Sequence, residues 1–407
     1  MSAPPAHERT QSASAIETRT VDGVLCFGGE DWWYHNRGHF DMQLMRELSA
    51  HVPVLYVNSI GMRVPRPTEG AMFLTRVRRK LKSMRRGLVR VRDNFAVMSP
   101  FAAPGRVGRI VTRAVMARQI VRAGRSLGIT RPLLWVACPP GAQSLDQIRP
   151  VATVYQRTDR FEDFPYVDRD VIAGYDRTLK HAADLTLFCS RLLYDAERER
   201  CRNALFVDHG VDYDRFAAAG LDPTSEPADL KGLPRPRAGF VGGIDAHTFD
   251  PPLFEKVVAL LPDVHFVMVG ACSLPPGWLA DRPNVTFLGQ KPYDDVPGYM
   301  AGCDVLLMPW NRSDWIKACN PIKLKEYLAT GRPVVSTSYD ELLRTWKDFV
   351  TIADGPEAFA AAIRAALAER TDAERLRERV RRETWTAKAD QVLERLQTLG
   401  ITVAKAR

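Results

Sequence analysis

Apolar residues cluster along this chain in short runs of four or five, separated by stretches in which they recur three and four positions apart. The first pattern predicts strands of a parallel sheet buried on both faces, and the second predicts helices packed on it. Runs at 24–27, 52–57, 133–137, 151–155 and 185–189, with helices over 39–49 and 107–127, predict one doubly wound unit. Runs at 238–241, 265–269, 285–288, 305–308 and 333–337, with a helix over 296–301, predict a second. The Pro-rich polar stretch 221–237 reads as the linker between them, and 373–399 as a charged amphipathic helix pair containing Trp385. With 407 residues, each unit can bury a core of its own.

The most informative stretch is 304–338, where two strand-like runs flank one helix. Asn320 is placed as N-cap and Pro321 at the first helical position, while Gly331 and Pro333 end the helix. Leu324, Tyr327 and Leu328 share the sheet-facing side; Lys323 and Glu326 lie opposite. A lysine in the first turn opposes the helix dipole, a conflict that an anionic ligand would resolve. The preceding loop, 310–319, exceeds the roughly 2 to 6 residues usual for such a connection. The plain alternative is an ordinary βαβ unit with a surface lysine.

Other candidate chemistry sits at predicted strand ends, where open α/β sheets place their ligands. Gly28 and Gly29 follow the first strand and Gly242 and Gly243 the first strand of the second unit, but neither pair forms GxGxxG, so a dinucleotide fingerprint is unsupported. The loop EDWWYHNRGH, 30–39, carries Trp32, Trp33, Arg37 and His39, a set suited to a sugar ring; alternatively its tryptophans fill an interdomain surface. Asp159, after the strand 151–155, is the best-placed acid of the first half and is assigned as general base, with a structural ion pair to Arg157 or Arg160 as the alternative.

Charge changes the picture. Nine basic residues and no acid occupy 76–92, and seven arginines and no acid occupy 94–145, in a chain of net charge +9. Apolar residues at 74, 77, 81, 84, 88 and 91 predict a basic amphipathic helix over 73–91, suited to an anionic membrane surface or, alternatively, to a core-packed solvated face. No nucleic-acid-binding motif accompanies it. Seven scattered cysteines without metal-ligand spacing fit a reducing compartment. The polar leader has no signal-like apolar core, and no run reaches the ~18 residues of a membrane span.

The segment NPIKLKEYLATGRPVVS, 320–336, resembles the nucleotide-sugar signature of GT-B glycosyltransferases, family 4-like enzymes of bacterial polysaccharide and teichuronic-acid type, and GVDYDRF, 210–216, resembles their hinge. The resemblance implies an α/β fold of two Rossmann-like doubly wound domains facing a cleft, with the C-terminal helix crossing back to the first. It divides the chain into a disordered leader at 1–20, an acceptor-binding domain at 21–222, a nucleotide-sugar-binding domain at 223–384 and a terminal helix segment at 385–407. It implies that Glu326 holds the donor ribose, and that Gly242, Gly243, Asn320, Pro321 and Lys323 lie by the diphosphate. Gly28, Gly29, Trp32, Arg37 and His39 would then face a glycan or lipid-linked acceptor. The implied activity is sugar transfer with UDP the preferred nucleotide; no residue pattern calls for a metal, and the basic segment, cysteines and leader point to a cytoplasmic protein peripheral on the inner membrane face.

Two departures stand out. A second glutamate common eight residues before the first is Ala318 here, leaving Asp314, Trp315 or Asn320 to meet the sugar. The basic pair common after the glycine turn is replaced by Asp245, His247 and Asp250, which leaves Lys323 more of the diphosphate charge. Alternative functions are a GT-B-shaped sugar-nucleotide epimerase or a non-catalytic protein binding anionic glycans or membranes.

Overall fold

A computed structural model describes residues 18–34, 38–59, 78–79, 81–100, 106–164 and 167–404, without the side chains of 106–114 and 318. Its first sheet has eight strands in the order Leu88–Arg92, Phe95–Met98, Val54–Val57, Gly23–Phe27, Pro132–Val136, Ala152–Arg157, Leu185–Phe188, Ala204–Phe206. Its second has six, in the order Val285–Gly289, His265–Val269, Arg237–Val241, Val305–Met308, Val334–Ser336, Thr351–Ile352. Every pairing in both sheets is parallel except that of Leu88–Arg92 with Phe95–Met98. The molecule is thus two doubly wound α/β domains, as the hydrophobic runs predict. Central strands such as Gly23–Phe27 and Val305–Met308 are buried along their whole length because helices cover both faces.

The chain crosses between the domains at His209–Val211 and returns beside its own crossing. Val211 N donates to Glu383 O at 2.8 Å, and a Cβ on Gly210 would collide with the backbone and ring of Trp385, so only glycine fits here. Helix Trp385–Thr398 then packs Trp385, Ala389, Val392 and Leu396 into the first domain's core. Strand Ile401–Val403 pairs in parallel with Arg19–Val21.

Several expectations change at this level. Arg19 and Thr20, placed in a disordered leader, belong to a strand; residues 1–17 lie outside the described residues. Val211 and Phe216 sit in the second domain's core, so the segment assigned to the first domain up to 222 changes sides about ten residues earlier. The segment 221–237 is no open tether: it holds the 3-10 turn Pro223–Ser225 and helix Ala228–Lys231, and is fixed by Glu226 to Arg235 and Arg237 and by Asp229 to Lys291 and Tyr299. The basic helix expected over 73–91 ends early. Residues 81–85 are helical, Gly87 takes φ +63, and Leu88–Arg92 turns back as an edge strand. Residues 73–77 and 80 lie outside the described residues. Among the described residues no helix is long and apolar enough to cross a membrane.

Candidate active site

The site is built around helix Lys323–Thr330, which follows strand Val305–Met308 and its long loop. Leu324, Tyr327 and Leu328 bury its inner face in the second core. Tyr327 Oη accepts a 2.9 Å hydrogen bond from Val241 N, which pins the helix to the end of strand Arg237–Val241, just before the glycine pair. Lys323, one turn earlier, is thereby laid over Gly242, where any Cβ would collide with its Nζ. The ammonium lies 4.5 Å from the Trp310 ring centre and 4.9 Å from that of Phe240, and draws part of its stabilisation from those π faces. Among the described residues no carboxylate forms an ion pair with it; Cys319, Glu326 and Asp245 act on it at longer range. Burial outweighs them and pulls its pKa down to about 8. Gly243 follows at the same turn, beside Asp245.

Glu326 lies on the same helix and is buried. Tyr293 donates its phenol hydrogen to Oε1 at 3.1 Å. Burial pushes the Glu326 carboxyl up to about 7; the Tyr293 hydrogen bond and Lys323 oppose this, and Asp212 adds to it. Lys323 and Glu326, expected opposite the sheet-facing residues, are shifted towards each other by burial, Lys323 downwards and Glu326 upwards.

Asn320 is not the cap of this helix. The helix starts at Lys323 after Ile322, and the Asn320 side chain instead donates to Cys189 O at 2.9 Å and to Asp208 Oδ1, both in the first domain. Pro321 precedes the helix rather than opening it. The loop before it contains a short helix, Asp314–Ala318, capped by Ser313. Trp315 on that helix meets His247 at 5.1 Å between ring centres and Phe164 of the first domain at 6.4 Å.

Asp159 stands two residues beyond strand Ala152–Arg157. Burial raises its carboxyl to about 6 against the charges of Arg157 and His39 and a Thr158 hydrogen bond. Burial raises the thiols of Cys189 and Cys319, and the charge of Asp159 adds to both shifts. The alternative pairing with Arg157 does not form, since that guanidinium is held by Glu162 at 2.8 Å, Glu197 at 3.2 Å and Asp176 at 3.4 Å.

The other first-domain residues divide. Gly28 is crowded by Tyr56, so its lack of a side chain serves internal packing; Gly29 N donates to Asp41 Oδ2 at 2.8 Å. The Trp32 ring lies 4.8 Å from Phe95 and 5.6 Å from Tyr56, which makes it mainly a core residue. His39 is exposed at the start of helix Phe40–Leu48, within electrostatic reach of Asp159. Arg37 lies outside the described residues. Trp33 and Tyr34, together with an edge of Trp32, line an interdomain cavity of about 720 Å³ shared with Gln43, Arg92, Lys291 and Tyr293.

Sequence reasoning passed over Tyr293, although it follows strand Val285–Gly289 at a strand-end position like the others. It also passed over Lys325, which is buried on the far side of the same helix and bonds Asp208 at 2.6 Å, Glu383 at 3.0 Å and His209 O. Its charge holds Glu383 down to about 2 in spite of burial, with help from Lys388.

Residues 235–369 match the family model described as "Glycosyl transferases group 1". The putative teichuronic acid biosynthesis glycosyltransferase TuaH of Bacillus subtilis (strain 168) is 31% identical over 173 residues, 41% of this chain and 43% of that protein; the alignment thus spans less than half of the curated relative. Among solved structures, sucrose-phosphate synthase from Thermosynechococcus elongatus superposes with TM-score 0.65 at 17% identity, covering 93% of this chain and 99% of the other. HepE of Anabaena in complex with UDP and glucose does so with TM-score 0.65 at 14% identity, covering 93% and 100%. Residues 235–369 thus match the group 1 glycosyl transferase model, and the chain as a whole has the two-domain GT-B fold of the solved structures.

Proposed function

We propose that this protein transfers a sugar from a nucleotide-diphosphate donor, UDP-sugar foremost, to a glycan or lipid-linked acceptor in bacterial cell-surface polysaccharide or glycolipid synthesis. The observation that carries the reading is Lys323: a half-buried lysine whose ammonium has no carboxylate partner among the described residues, laid over Gly242 one turn before Glu326. Such a group is a receptor for a diphosphate, and a buried carboxylate beside it suits paired ribose hydroxyls. The UDP complexes of HepE and the teichuronic-acid name of TuaH support the choice of donor and of pathway type.

In this reading the C1–oxygen bond to the diphosphate breaks as the bond from C1 to the acceptor oxygen forms. Lys323 and the backbone around Gly242 and Gly243 stabilise the departing charge, with no metal called on, and rate comes from positioning and electrostatics. Asp159, across the cleft and raised towards neutrality, receives the acceptor proton if the anomeric centre inverts; if it is retained, the leaving diphosphate takes that proton. Trp33, Tyr34 and His39 offer the acceptor its surface. The basic segment ending at Arg92 holds the protein on the anionic inner face of the membrane.

A thermal-shift panel of UDP, GDP, ADP, TDP and their sugar conjugates tests the donor assignment. A nucleotide at ~100 times its dissociation constant stabilises by ~2.7 kcal/mol. UDP is expected to raise the midpoint of the wild type and not that of Glu326→Ala. A folded protein that responds to none of them would refute the reading.

A further inference from the structure

The Glu326 carboxylate has one oxygen engaged from outside its own helix, by a side chain that neither the family signature nor the hinge motif contains. Tyr293 reaches it from the loop after strand Val285–Gly289, and its ring forms part of the wall of the interdomain cavity. The ring is braced from behind: Phe216 meets it edge-on at 6.2 Å, and the Arg215 guanidinium lies 5.9 Å above it. Arg215 is in turn held by Asp212 at 3.2 Å and by Asp294. Three residues of the hinge segment therefore support one phenol, and that phenol touches the donor-helix carboxylate.

We propose that Tyr293 is the positioning residue of the ribose site: its hydroxyl fixes one oxygen of Glu326, so that the other oxygen is presented to the ribose hydroxyls. The inference rests on the donor reading above. The groups that face Glu326 are Lys323 from its own helix, Asp212 from the hinge segment, with Arg215 behind the ring, and Tyr293 from the loop. Burial and Asp212 favour the protonated acid; Tyr293 and Lys323 favour the carboxylate. Burial and the neighbouring carboxylates keep the phenol itself protonated, so it remains a donor throughout the working range. Removing only its hydroxyl leaves the ring packing in place and lets Glu326 hold its proton to higher pH. A protonated Glu326 loses the charge that strengthens its bonds to ribose.

The test is titration calorimetry of the full chain with UDP between about pH 6 and pH 9, for the wild type, Tyr293→Phe and Glu326→Ala. Tyr293→Phe is expected to bind UDP about tenfold more weakly near pH 7, the value of one hydrogen bond to a charged group. Its deficit relative to the wild type should shrink towards pH 9 while its melting midpoint stays unchanged. Equal UDP affinity of Tyr293→Phe and the wild type near pH 7, with Glu326→Ala weak, overturns the positioning role and leaves the donor site standing. UDP affinity untouched in Glu326→Ala overturns both.

Discussion

The chemistry of this cleft rests on single side chains held away from their ordinary protonation. Glu326 is the plainest case: burial lifts it from an ordinary value near 4.5 to about 7. A folded-state pKa above the unfolded one means that stability is fullest below about 4.5 and declines as pH rises through 7. The shift corresponds to at most about 3 kcal/mol above neutrality. Glu326→Gln is therefore expected to stabilise the ligand-free protein by roughly 1–3 kcal/mol near pH 8, with the gain fading towards pH 4.5, as measured by denaturant unfolding at both pH values. No stabilisation at pH 8 would show that the carboxylate is better compensated than its surroundings indicate. Lys323 has the opposite displacement, down to about 8, so donor affinity should be greatest between the two values, with the acid side set by Glu326 and the alkaline side by Lys323.

At the scale of elements, the basic segment before and through Leu88–Arg92 changed most between sequence and structure. Its apolar residues satisfy a helical spacing, but Val-Arg-Val-Arg also alternates, and Asp93 and Asn94 supply a turn back into Phe95–Met98. The hairpin wins because Gly87 at positive φ stops the helix and Phe95–Met98 offers a ladder. The basic surface survives the change of element: Arg78, Lys82, Arg85 and Arg90 are exposed, as are Leu81 and Leu88. Each basic side chain near an anionic leaflet contributes about 1 kcal/mol. Changing those four to Glu, which spares the Arg79–Tyr34 and Arg86–Trp33 contacts, is expected to weaken binding to phosphatidylserine vesicles by at least about a hundredfold in a sedimentation assay. Unchanged sedimentation would remove the membrane from the account. The strands and the helix after strand Val305–Met308 were legible in sequence because apolar runs and Gly or Pro punctuation are local signals. Asn320 was misread because its partners, Cys189 and Asp208, lie more than a hundred residues away, and no local pattern carries that information.

At the scale of the molecule, helix Lys323–Thr330 joins three parts of the chain. One side carries Lys323 and Glu326 into the cleft. The other side carries Lys325 to Asp208 at the end of the first domain and to Glu383 at the start of the returning segment. Removing one member of such a buried charge set leaves the others uncompensated, so the arrangement keeps helix, crossing and terminal helix in one register. Two Rossmann-like domains were readable from alternating strand and helix patterns, whereas the wall formed by Tyr293, Trp33 and Tyr34 was not, because it arises only when the loops of both domains meet. In the proposed site, ribose and diphosphate are held by different side chains of one helix. The most direct measurement compares UDP with uridine by calorimetry in the wild type, Lys323→Met and Glu326→Ala. Lys323→Met is expected to abolish most of the advantage of UDP over uridine and to leave uridine binding intact, while Glu326→Ala weakens both ligands. Lys323→Met protein that still prefers UDP to uridine as strongly as the wild type would contradict that assignment.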